Sequence, residues 1–231
     1  MDGAPLTDRA ACEACGTCTD TCWAGAREVA GRTMNVAQVM EAVERDRPFY
    51  EESGGGVTLS GGEPLRQPAF TAAVLREAKR RGLHTALDTC GHAPWPRLDS
   101  LRQDVDLFLY DLKLVDAARH RRYTGVGNAR ILANLRALSR LGHRIVLRVP
   151  VVPDITDDPE NVAAVCAVAA ALPHLAGVDL LPYHSIGAGK YRRLDRQYRL
   201  LHTDAPTRRR MDEIASTMAA SGLPVGTDGL R

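Results

Sequence analysis

The segment Gly54–Pro68, GGGVTLSGGEPLRQP, sets a short apolar run, VTLS (57–60), between two groups of glycines. An apolar run of that length bounded by glycine reads as a buried strand. Gly61 and Gly62 at its end let backbone approach a ligand with no Cβ in the way, and Glu63 adds a carboxylate able to accept from an ammonium group. Taken alone, a strand followed by two glycines describes a turn equally well.

The neighbouring sequence repeats the pattern. TALDT (85–89), LFLYDLK (107–113), IVLRVPVV (145–152) and VDLLPYH (178–184) also read as buried strands. Helical segments lie between them. TMNVAQVMEAVERD places Val36, Val39, Met40 and Val43 at helical spacing, with Asn35 and Gln38 where a cap and its reciprocal partner belong. AFTAAVLREAKRRG ends in basic residues and a glycine, as a helix C-terminus does. DDPENVAAVCAVAAAL begins with an aspartate before a proline, and NARILANLRALSRLG and RRRMDEIASTMAASG are helical by period. Strands alternating with helices predict an α/β fold on a parallel sheet, open or closed into a barrel.

Each strand ends in, or just before, a polar group: Ser60 with Glu63, Asp88 with Thr89, Asp111 with Lys113, and His184. Arg148 interrupts an otherwise apolar strand. One such residue reads as a cap or a loop feature, and Arg148 could simply pair with Asp111. Five strands converging on one rim predict a site at the C-terminal strand ends, where α/β barrels build theirs.

The 231 residues, 45% hydrophobic and 25% charged, suit one large α/β domain or one domain with a small module. A formal charge of +2 argues against a nucleic-acid partner. The longest apolar run, Val162–Leu172, is too short to span a bilayer, and MDGAPLTDR has no signal-peptide pattern. A cytoplasmic protein without a membrane partner is expected. In that reducing compartment ACEACGTCTDTCW, with Cys12, Cys15, Cys18 and Cys22, reads as metal-binding rather than disulfide-bonded. Its spacing is that of bacterial ferredoxin loops around a 4Fe-4S cluster, and Gly16 permits the turn between ligands. A zinc site normally uses paired CxxC units further apart. Cys90 and Cys166 read as core thiols.

Together these segments resemble the radical S-adenosylmethionine (SAM) enzymes that activate glycyl radical enzymes. The resemblance runs from Cys12 onward through RPFYEESGGGVTLSGGEPLRQP, ALDTCGHA, DLFLYDLK, YTGVGN, LRVPVVPDITDD and LLPYHSIGAGKY, in that order. It implies a partial (β/α) barrel (34–231) behind a small ferredoxin-like 4Fe-4S module (1–33). Gly61, Gly62 and Glu63 match the motif that binds the SAM amino group. Asp111, Leu112 and Lys113 match residues that meet its carboxylate or a nearby monovalent cation, and Asp88 and Thr89 complete that cation site. Arg148 and His184 match positions near the methionyl and adenosyl parts. The implied activity is reductive cleavage of SAM to methionine and a 5′-deoxyadenosyl radical, which takes hydrogen from a glycine on a large glycyl radical enzyme. Flavodoxin or ferredoxin would donate the electron. The cofactors carry the hard chemistry, while the protein orients them and excludes water.

The chain departs from the family in its cysteines and the residue that follows them. The radical cluster is held there by Cys-x3-Cys-x2-Cys, and none of the six cysteines stands in that spacing. Cys12, Cys15, Cys18 and Cys22 match the second half of a two-cluster insert, with Trp23 in place of the usual proline. The sequence is therefore expected to be an N-terminally truncated activator. A decayed relative, or one whose missing ligands come from another polypeptide, would carry the same pattern. Two rivals come from other classes. A ferredoxin-type electron-transfer or SAM-binding protein without radical chemistry would leave the strand-end residues idle. A phosphate-binding barrel enzyme, an aldolase or isomerase, lacks its signature near VGTDGL.

Overall fold

The computed structural model describes residues 8, 10–29, 31–194 and 196–226. Six strands form one sheet in chain order: β1 (Gly56–Leu59), β2 (His84–Thr89), β3 (Leu107–Asp111), β4 (Ile145–Val151), β5 (Leu175–Pro182) and β6 (Val225–Gly226). Every adjacent pair is parallel. All C-terminal strand ends therefore share one rim. The ends of the sheet, β1 and β6, are not joined, so the barrel is partial and open.

Five of these strands follow the apolar runs in the sequence. The sixth spans two residues, too short for any period to show. The helices also lie where their period puts them: Pro68–Arg80, Ala129–Arg140, Pro159–Ala170 and Arg208–Ala220. Asp158 caps Pro159–Ala170 by accepting from the Asn161 amide, so Pro159 occupies the first turn, where its missing N–H costs nothing. The main core lies between sheet and helices, centred on fully buried Phe108, Tyr110, Leu87, Leu135, Leu147 and Leu180.

Helix Val36–Glu44 begins with the reciprocal cap anticipated from sequence: Gln38 N donates to Asn35 Oδ1, and Asn35 N to Gln38 Oε1, both at 2.9 Å. Its Met40 packs with Val74, Ala78 and Leu83 in a smaller core against Pro68–Arg80. The cysteine segment before it holds one helical turn, Thr17–Asp20, and no described residue there is buried.

The end of β2 is fixed by a close fit. Gly91 follows it at φ +65°, and a Cβ there would overlap the Tyr110 hydroxyl and its ring carbon. That hydroxyl donates to Ile131 O at 2.8 Å, while Asn134 Nδ2 donates to Gly91 O and Ala93 O, each at 2.8 Å. Only glycine fits between Tyr110 and this turn. Cys90, one residue earlier, is thereby held at the rim.

Candidate functional site

The strand ends enclose a pocket of about 240 Å³ lined by residues from β1 to β4: Ser60, Gly61, Gly62, Glu63, Asp88, Thr89, Cys90, Asp111, Lys113 and Arg148. Gly61 has φ +112°, and a Cβ on Gly61 or Gly62 would meet no protein atom within 4 Å. The space beside this backbone is open to a ligand.

Glu63 is held on three sides. Thr89 Oγ1 donates to its Oε1 at 2.7 Å, Leu65 N to the same oxygen at 3.1 Å, and Cys90 N to Oε2 at 3.0 Å. Glu63 thus caps the short 3-10 turn Pro64–Arg66 and ties the β1 and β2 ends together, with remaining acceptor capacity for a ligand ammonium. The Thr89 hydroxyl also accepts from Gly91 N at 3.0 Å.

Two ion pairs lie beyond Glu63. Arg148 Nη1 is 2.5 Å from Asp88 Oδ2, which also accepts from Ser60 Oγ at 2.6 Å. Arg148 therefore pairs with Asp88, not with Asp111 as a simple salt bridge would have had it. Asp111 pairs with Lys113 at 3.4 Å. Burial raises the Asp111 carboxyl above its usual range, against the opposing pull of Lys113 and Arg148. Leu112 is buried and meets the site only through backbone, its N–H donating to Arg148 O at 2.9 Å.

Residues outside the pocket hold Lys113 in place. Asn161 Nδ2 donates to Lys113 O at 3.2 Å and Thr156 O at 2.9 Å, and its Oδ1 accepts from Val115 N at 3.1 Å. Asn128 Nδ2 donates to Leu114 O at 3.0 Å and Val115 O at 2.6 Å. Both asparagines are buried. Asn128, which closes the YTGVGN motif, and Asn161, three residues past PDITDD, thus clamp the loop after β3. No spacing rule could have found them, because they act through backbone groups distant in sequence.

One position differs from the sequence reading. Cys90 is half-buried and lines the pocket rather than filling the core, and burial together with Glu63 pushes its thiol up to about 11. Cys166 is a core thiol. His184, just past β5, is exposed and does not line this pocket.

Cys12, Cys15 and Cys18 are exposed, Cys22 is half-buried, and all four are free thiols. Gly16, at φ +85°, turns the chain between Cys15 and Cys18. The Thr17 hydroxyl holds the Cys15 thiol below its ordinary range, toward the thiolate that ligates metal. Four soft, accessible thiols fit an iron–sulfur cluster as donors. Among the described residues, however, no three metal-binding side chains stand together as a formed site. No helix among them is long and apolar enough to cross a membrane.

Residues 13–166 match the Radical SAM superfamily. The chain is 43% identical over 219 residues to the isethionate sulfite-lyase activating enzyme of Nitratidesulfovibrio vulgaris, covering 93% of this chain and 71% of that one. It is 40% identical over 200 residues to the trans-4-hydroxy-L-proline dehydratase activating enzyme of Clostridioides difficile, covering 86% and 66%. The chain thus spans about two thirds of the length of these relatives. A crystal structure of a domain of pyruvate-formate lyase-activating enzyme from Bacteroides vulgatus superposes with a TM-score of 0.64 at 28% identity, over 76% of this chain and 99% of that one. The chain belongs to the Radical SAM superfamily and, within it, to the activating enzymes of glycyl radical enzymes.

Proposed function

We propose that the strand-end pocket binds the amino-acid end of SAM, and that the protein acts in reductive SAM cleavage to place a glycyl radical on a large partner enzyme. The observation that carries this is the charge of the pocket. Three carboxylates, Glu63, Asp88 and Asp111, face two cations, Lys113 and Arg148, a formal balance of −1. SAM has a sulfonium, an ammonium and a carboxylate, a balance of +1. In a site with little water, such complementarity is worth more than it is at a surface.

Each residue then has a part. Glu63 and the open backbone of Gly61 and Gly62 receive the ammonium. Lys113 meets the carboxylate, with Asp111 beside it, and Arg148 lies toward the methionyl chain. His184 is assigned to the adenosyl part, beyond the pocket. Cys12, Cys15, Cys18 and Cys22 would hold a 4Fe-4S cluster. The radical cluster of the family, whose Cys-x3-Cys-x2-Cys ligands are not among these four, would supply the radical chemistry together with SAM, and an outside donor such as flavodoxin or ferredoxin would supply the electron.

The test is calorimetric titration of SAM into the chain and into K113A and D111N. Saturable binding that each substitution weakens at least tenfold is expected; equal affinity in all three would refute the assignment. With iron, sulfide and a strong reductant under exclusion of oxygen, the chain alone is expected to bind SAM without releasing 5′-deoxyadenosine, because it has no Cys-x3-Cys-x2-Cys. Release of that product would instead make the four ferredoxin-type cysteines the ligands of the catalytic cluster.

A further inference from the structure

Past Lys113 the strand-end rim opens into a second cleft of about 520 Å³ on the β4 side. Its floor is apolar, with Leu114, Pro150, Val152 and Ile155. Among the described residues its charged lining is Lys113, Arg122 and Arg199, with no carboxylate. Through Gln197, Tyr198 and Arg199 it continues into a cleft of about 500 Å³, where Arg192 and Arg196 join Arg199, again with no carboxylate among the described residues. None of Arg122, Arg192, Arg196 and Arg199 has an ion-pair partner among the described residues. The wall between the two clefts is fixed. The Tyr198 ring packs 4.9 Å from Tyr191, and its hydroxyl is 2.9 Å from that of Tyr183, which donates to Leu200 O.

We propose that this double cleft is the docking groove for an extended acidic segment of the partner protein. The segment would seat apolar side chains on the floor and carboxylates on Arg122 and Arg199. Arginine suits the task, since its planar fork takes a carboxylate through two hydrogen bonds. The apolar floor disfavours a nucleic acid, and a formal chain charge of only +2 gives no long-range field to draw one in. The groove shares Lys113 with the proposed SAM pocket, so a segment seated there lies beside the amino-acid end of that ligand. The identity of the partner rests on the function proposed above; the preference for an acidic segment rests on the groove alone.

Three fluorescein-labelled probes, followed by anisotropy, test this: a twelve-residue peptide alternating glutamate with leucine and glycine, its lysine counterpart, and an oligothymidylate of matching charge. The acidic peptide is expected to bind saturably, at least tenfold more tightly than the other two. R122E and R199E should each weaken it at least tenfold, and added salt should weaken it in the parent chain. Equal binding of the oligothymidylate, no binding of the acidic peptide, or reversal variants within twofold of the parent would each overturn the proposal. SAM titration into the same variants separates the two readings. Peptide binding without SAM binding in the parent would sink the proposed function and leave the groove standing. Should a reversal variant fail to fold, R122Q and R199Q replace it, with at least a threefold loss expected and an unchanged affinity counting against the groove.

Discussion

Replacing Asn161 with alanine isolates the clamp that holds Lys113. The Asn161 side chain is 4% exposed and makes three hydrogen bonds, to Lys113 O, Thr156 O and Val115 N. Each net bond contributes about 1 kcal/mol, and a buried partner left unsatisfied costs about 1–3 kcal/mol. Val115 is only half-buried, so water can recover part of its share. The sum comes to about 3 kcal/mol, and for a chain of this length each kcal/mol lowers the melting temperature by roughly 2–4 °C. N161A is therefore expected to melt about 6–12 °C below the parent. Its SAM affinity should fall about tenfold, because the loop that presents Lys113 loses its anchor. N161D keeps the acceptor for Val115 N but turns a carboxylate toward two carbonyls, and should be no better. Calorimetric melting paired with SAM titration reads both effects. A melting point within about 2 °C of the parent would refute the hydrogen-bond reasoning. Lost stability with unchanged SAM affinity would show that the clamp serves the fold and does not position Lys113.

Other perturbations probe other parts of the rim. Burial raises Asp111 in the folded chain, so its contribution to stability is full below its unfolded value near 3.8 and is lost as pH climbs through the folded value. D111N should therefore gain stability over the parent at pH 7 relative to pH 4 while losing SAM affinity; equal melting differences at the two pH values would contradict this. Gly91→Ala combines a left-handed backbone with overlap on the Tyr110 ring, and should cost at least about 3 kcal/mol in urea unfolding. Tyr110→Phe should not restore the loss, because the ring carbon overlaps as well as the hydroxyl; a cost under about 1 kcal/mol would disprove the fit. Glu63→Gln loses one acceptor among three bonded donors and should weaken SAM binding more than tenfold with a melting change below about 5 °C, whereas unchanged binding would confine Glu63 to its capping role.

The residues that read most clearly in the sequence are those whose physics is local. The apolar runs at 57–60 and 107–113, the cap pair Asn35 and Gln38, and the Asp158–Pro159 start all depend on neighbours within a few positions, and all stand in the structure. The rim was legible because a parallel sheet sends every strand end the same way, so Glu63, Asp88, Asp111 and Arg148 had to meet once the strands were placed. Which of them pair was not legible. Asp88 and Arg148 lie on strands separated by β3, and the arginine reaches across it past the nearer Asp111. Asn128 and Asn161 were hidden for a different reason: their targets are carbonyls and an amide, which any residue provides. Cys90 was misjudged because the contacts that place it at the rim, the Gly91–Tyr110 fit and its own amide's bond to Glu63, join positions 19 and 27 apart in sequence.

The Asp88–Arg148 pair bears on whether a monovalent cation enters the site. Each side chain proposed for such a cation already has a partner: Asp88 has Arg148 and Ser60, Thr89 has Glu63, and Asp111 has Lys113. A cation competing for Asp88 must displace a guanidinium at contact distance, which favours it only when Arg148 has another anion to meet. The carboxylate of SAM, proposed to meet Lys113, would bring one into the same pocket. In the free chain, then, potassium should have no effect on stability. Arg148→Ala changes that, since it leaves Asp88 facing Asp111, whose charge it already opposes, with only the Ser60 hydroxyl in support. A potassium ion at ten times its dissociation constant would stabilise that variant by about 1.4 kcal/mol, or roughly 3–5 °C. Melting of parent and R148A in potassium chloride against choline chloride, at one ionic strength, reads the difference. A potassium response in R148A alone supports a cation that waits for Arg148 to move. An equal response in the parent would mean that the cation and the guanidinium do not share Asp88, and no response in either would remove the cation from the site.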